Sequence, residues 1–222
     1  MKHAIIAALA LASAPAFAQS QVTLYGVADA GLVVEHGGPA GSHTALSSGV
    51  ASGSRLGFKG SEDLGGGLSA EFVLEGGYNI DTGTSGQGGL LFGRQAWVGL
   101  RGAFGSLGAG RQLSPYYKAL RDVADPFCDG LAGQAMNLIA GNRRMDNAVV
   151  YGTPKVAGWS AEVAYGAGEV AGDATRKRVV SGAVSYAPGA LAVVLAHHRR
   201  EDPLLPDHVG NSLLAARYTM GA

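Results

Sequence analysis

The connections of this chain alternate in length, and that alternation constrains the fold more than any other feature of the sequence. Extended stretches are joined by long Gly-rich segments at residues 35–50, 79–90, 112–142, 168–177 and 200–210. Between these come short ones at 61–66, 102–105, 154–157 and 187–189. Long and short follow each other without interruption, so all the long connections lie at one end of the strands. A β-barrel that crosses a membrane has this arrangement, with tight turns on one side and long loops on the other. The alternation predicts an all-β chain whose ten strands run antiparallel around a transmembrane barrel.

Strand patterning agrees. Over residues 67–78, Leu68, Ala70, Phe72 and Leu74 share one face, and Ser69, Glu71, Val73 and Glu75 the other. Residues 159–166 repeat this, with Trp159, Ala161, Val163 and Tyr165 against Ser160, Glu162, Ala164 and Gly166. Glutamates facing a dry core would be costly, whereas an aqueous lumen accommodates them. Residues 91–101 read as a fourth strand, but Arg94 there shares a parity with Phe92, Ala96, Val98 and Leu100, which asks for a bulge or a rim position. Aromatic residues near strand ends fit interfacial girdles and ordinary strand propensity equally well.

Residues 1–18 read as a secretory signal peptide: Lys2 precedes an apolar segment, which ends in Ala16-Phe17-Ala18 before the mature chain at residue 19. The apolar segment falls short of the ~20 residues a spanning helix needs. With one cysteine, Cys128, no intramolecular disulfide forms. A formal net charge of zero points away from nucleic acid. No Cys-x-x-Cys, His-Glu-x-x-His or phosphate-binding Gly-Lys-Ser/Thr sequence occurs, so the motifs call for no cofactor and no metal. His197-His198-Arg199-Arg200 reads as a polar strand end, because adjacent strand residues point to opposite faces.

Several motifs together carry a resemblance. Gln21-Val-Thr-Leu-Tyr-Gly-Val-Ala-Asp-Ala-Gly31 resembles the opening strand of Gram-negative general porins of the β-proteobacterial type. Ser54-Arg-Leu-Gly-Phe-Lys-Gly-Ser-Glu-Asp-Leu-Gly-Gly-Gly-Leu68 is similar to their second strand and first periplasmic turn. Leu91-Phe-Gly-Arg-Gln-Ala-Trp-Val-Gly-Leu100 and Phe104-Gly-Ser-Leu-Gly-Ala-Gly-Arg-Gln112 are similar to strands four and five. The resemblance implies an outer-membrane homotrimer of barrels of about sixteen strands, embedded in outer-membrane lipid and passing ions and small hydrophilic solutes by diffusion. With ten strands read and Tyr218-Thr-Met-Gly-Ala222 in place of a terminal aromatic, the chain is expected to be the N-terminal portion of such a barrel, residues 19–222.

The resemblance also implies that the third long loop, residues 112–142, folds into the lumen and opposes a ladder of arginines on the wall. By matching position the basic side would be Arg55, Lys59, Arg111 and Arg143 or Arg144, and the acidic side Asp122, Asp125 and Asp129. Opposed charges across a narrow aqueous gap set up a transverse field that orients solutes and sets ion preference. Two other readings stay open at this stage. One is a complete ten-stranded barrel enzyme with Asp207, His208 and His198 at its rim, and the other a secreted β-rich adhesin or structural module.

Overall fold

The computed structural model describes residues 21–39, 41–128, 130, 133–173, 176–201 and 208–221; the expected signal peptide lies outside them. Among the described residues are twelve strands: β1 (Gln21–Val27), β2 (Ala30–Gly38), β3 (Gly41–Ser48), β4 (Arg55–Gly65), β5 (Leu68–Gly77), β6 (Gln95–Gly102), β7 (Gly105–Leu113), β8 (Arg144–Gly152), β9 (Trp159–Gly166), β10 (Val179–Tyr186), β11 (Leu191–Glu201) and β12 (His208–Tyr218). Ten form one sheet in the order β1-β4-β5-β6-β7-β8-β9-β10-β11-β12, each antiparallel to its neighbours, and β2 pairs with β3. The ten strands expected from the sequence are therefore the ten of the main sheet.

The first long connection is the main departure. Residues 35–50, expected as a loop, belong largely to the β2–β3 hairpin, which continues the line of β1 and β4 beyond the sheet. Asp29 organises the break between the two pairs. Its carboxylate accepts from the amides of Ala51 and Ser52, and its carbonyl accepts from Gly49 N at 2.9 Å and from Ser54 Oγ at 3.0 Å. At the opposite end, β4 runs on to Gly65. The expected turn shrinks to Gly65, Gly66 and Gly67, all at positive φ, a conformation that costs glycine little and other residues more.

Register divides the sheet into two unlike faces. Outward positions are apolar and exposed: Leu24, Leu56, Phe58, Val98, Val163, Leu195 and Leu214 all lie on this side. Trp159 and Tyr186, paired across β9 and β10 at the short-turn end, stack on it with ring centroids 4.7 Å apart. An apolar face this broad is stable against hydrocarbon rather than water. Inward positions carry Thr23, Lys59, Glu71, Glu75, Glu162, Ser181, His198 and Asn211. The parities expected for residues 67–78 and 159–166 hold, with Glu71, Glu75 and Glu162 inward.

The described residues of the 112–142 connection pack on the inner face. Ser114 caps a short helix, α1 (Pro115–Ala119): its Oγ accepts from Tyr117 N at 3.0 Å, and Pro115 takes the first turn, where its missing N–H costs nothing. One π turn follows over Leu120–Ala124, closed by Asp125 N donating to Leu120 O at 2.8 Å. Tyr116, Ala119 and Leu120 bury themselves against Val194 and Ala196 of β11, the main apolar cluster of the molecule. Polar ties support it: Tyr116 N donates to Ser181 Oγ at 3.2 Å, Lys118 Nζ meets both oxygens of Glu162 at 3.0 and 3.1 Å, and Arg217 donates to Asp122 O at 2.6 Å. Ser114 Oγ donates to Asn142 O at 2.6 Å and closes the base of the loop.

Candidate functional site

Where the loop crosses the inner face, it encloses a cavity of about 550 Å³ toward the long-loop end. Arg55, Arg94, Arg121 and Arg143 line it together with Glu75, Tyr25, Gln134 and Cys128. Wall and loop thus contribute cations to one space.

Each cation is held differently. Arg55 opens β4, and its Nη1 donates to Ser52 Oγ at 3.0 Å and Gly53 O at 2.9 Å, in the segment that Asp29 organises. Arg94 sits one residue before β6, which begins at Gln95 rather than residue 91, so the parity conflict seen in the sequence disappears. Its amide donates to Glu75 O at 3.0 Å and its Nε to Glu75 Oε1 at 2.7 Å. Glu75 Oε2 lies 3.8 Å from Arg55 Nε and accepts from the Tyr25 hydroxyl at 2.9 Å. Gly57, opposite Tyr25 in register, leaves room for that ring: a Cβ there would come within 2.8 Å of it. One carboxylate is therefore shared by two arginines and a phenol. Arg143, just before β8, holds its guanidinium 5.0 Å from the ring centroid of Tyr117 on the loop, where Arg121 pairs with neighbouring Asp122 at 2.6 Å.

The expected site residues sort unevenly. Arg55 and Arg143 meet in the cavity, and Asp122 stands beside it as the partner of Arg121. Arg144 Nε is engaged with Arg94 O at 2.8 Å, which buttresses the wall behind. Lys59 faces inward but lines a separate cavity nearer the short turns. Arg111 departs from expectation. Its pairing opposite Ala96 continues the unbroken register of β6 and β7, so plain alternation puts it on the outward side with Leu107 and Ala109, and it binds Gly93 O at 2.8 Å and Asp146. Asp125 is buried, its oxygens accepting from Phe127 N at 2.8 Å and Ala135 N at 3.0 Å, so it holds the loop's shape. Asp129 lies outside the described residues, as does Asp207 of the rim reading. Of the other two rim residues, His198 is inward and buried beneath the loop, whereas His208 has the opposite parity.

Sequence reasoning missed Arg94, Arg121 and Glu75 as parts of the site. The parity conflict of Arg94 was the available signal. Arg121 carried none, because its role depends on how the loop folds.

A sheet that is apolar outside and polar inside, with a loop packed on the inner face and arginines facing it, is the wall of a transmembrane barrel enclosing water. Comparison with known proteins agrees. Residues 5–222 match the Gram-negative porin family. An outer membrane porin protein of Bordetella pertussis is 36% identical over 89% of this chain and 59% of its own length. Outer membrane porin protein 32 of Delftia acidovorans is 37% identical over 88% of this chain and 59% of its own length. An anion-selective porin from Comamonas acidovorans superposes with a TM-score of 0.79 at 32% identity, covering 91% of this chain and 65% of that structure. The chain belongs to the Gram-negative porin family. It spans about three fifths of the length of these two curated relatives.

Proposed function

We propose that the chain forms the wall of a water-filled channel in the outer membrane, through which ions and small hydrophilic solutes diffuse. The third long connection narrows the channel, and the cavity lined by Arg55, Arg94, Arg121 and Arg143 is its constriction, with Glu75 on the wall and Asp122 on the loop as its acidic groups. The observation that supports this reading is the packing of Tyr116 and Leu120 on the inner face. Four arginines against Glu75 and Asp122 make the constriction net positive, so it favours anions. Lys59 and Arg144 add positive charge along the same wall. The porin relatives support a channel rather than an enzyme. Residues 1–18 are a signal peptide removed on export, residues 19–222 are the barrel portion, and the assembly is a homotrimer in outer-membrane lipid.

Planar-bilayer recording of the detergent-refolded chain tests this. The expected result is stepwise conductance with a reversal potential, under a KCl gradient, displaced toward the chloride equilibrium. Absence of steps from folded protein, or a displacement toward potassium, would overturn it.

A further inference from the structure

A second cavity of about 350 Å³ lies on the inner face toward the short-turn end, away from the arginine cluster. It follows from register. Thr23, Lys59, Val73 and Trp97 stand in one row across β1, β4, β5 and β6. The next inward residue of β6 is Gly99, which has no side chain and faces Glu71. Trp97 and Arg101 therefore flank a gap, with the row of Lys59 and Val73 beside it.

The chemistry of the lining selects a ligand. Trp97 and Val73 provide an apolar surface beside the polar groups of Thr23, Lys59, Glu71 and Arg101, and the indole Nε1 is turned to Gln95 Oε1 at 3.3 Å. Arg101 is occupied: its Nε and Nη2 bind both oxygens of Glu71 at 2.6 and 3.1 Å, so the pair carries no net charge. Lys59 supplies the uncompensated charge. Among the described residues its ammonium pairs with no carboxylate within 4.0 Å, its one contact being the Tyr25 ring, with 5.5 Å to the centroid. An apolar aromatic surface beside one net cation suits a flat monoanion: the ring lies on Trp97 and the charge reaches Lys59.

We infer that this cavity is a binding site for small aromatic carboxylates, a second station on the wall distinct from the arginine cluster. The inference rests on the reading of the inner face as lumen.

The chain has two tryptophans, Trp97 and outward-facing Trp159, so Trp159→Phe leaves Trp97 as the sole reporter. Benzoate, titrated into that folded variant in detergent micelles, is expected to quench its fluorescence saturably. Acetate, with the charge but no ring, and benzamide, with the ring but no charge, are each expected to act at least about fivefold more weakly. Lys59→Gln weakens benzoate by about fivefold. Unsaturable quenching, equal potency of acetate or benzamide, or indifference to Lys59→Gln would each overturn the site. The three-ligand comparison stands without the Lys59 variant. Because the titration needs no conduction, saturable Lys59-dependent quenching by a chain silent in bilayers would remove the channel reading and keep the site. A conducting chain with unsaturable quenching would do the reverse.

Discussion

Glu75 accepts the Nε–H of Arg94 at 2.7 Å and is 7% exposed, while Arg94 remains open to the cavity between wall and loop. That contact fixes the residue just before β6 relative to the end of β5, and the Arg94 amide bonding to Glu75 O repeats the tie in the backbone. Position and charge of the wall arginines are thus set together.

Glu75→Gln keeps the shape of this carboxylate and removes its charge. With Arg55 and Arg94 no longer neutralised in part, chloride preference is expected to rise, read as a larger reversal-potential displacement. The lost charged hydrogen bonds are expected to cost about 1–3 kcal/mol in chemical denaturation.

Arg94 and Arg111 differ in placement, and their variants separate lumenal from rim charge. Arg94→Gln is expected to lower chloride preference markedly. Arg111→Gln, outward in register and tied to Gly93 O and Asp146, is expected to shift it several-fold less. Equal shifts in bilayer recordings would place Arg111 back in the lumen.

Leu120 is 1% exposed where the loop meets β11. Leu120→Ala is expected to weaken loop docking by about 2–5 kcal/mol through the cavity it leaves. Faster trypsin cleavage within residues 112–142, with the strands intact, would report it.

Burial pushes the Tyr116 phenol above its ordinary range. The raised value favours the neutral form in the folded chain, so its contribution is present below pH ~10 and lost as pH rises through the shifted value. Alkaline titration followed by tyrosinate absorbance is expected to lose a late-ionising contribution in Tyr116→Phe. The same titration should show trypsin sensitivity of the loop increasing as that group ionises.

The fold was largely legible because a strand's faces alternate with period two: Leu68 to Glu75 and Trp159 to Gly166 display their inward and outward sides directly. The β2–β3 hairpin was not, because Gly37, Gly38 and Gly41 read as loop while cross-strand pairing made them strand. Arg55 and Arg143, expected from position along the chain, line the same cavity. Arg111 was expected on the lumenal wall from its place in the motif, although it shares a parity with Leu107 and Ala109, and the unbroken pairing with β6 keeps it on their side. Asp125 could not be told from Asp122 in sequence. Only the folded loop shows one carboxylate spent on backbone amides and the other meeting Arg121.

Cys128 gives the most direct test of the central claim, because it is exposed on the loop and lines the same cavity as the four arginines. During single-channel recording, a negatively charged methanethiosulfonate reagent is expected to lower conductance in discrete steps. It should act about tenfold faster than a positively charged reagent of the same size, with the difference shrinking as salt rises. The Cys128→Ser chain should show no steps. Complete thiol modification that leaves conductance unchanged would place the loop outside the conducting path and contradict the account.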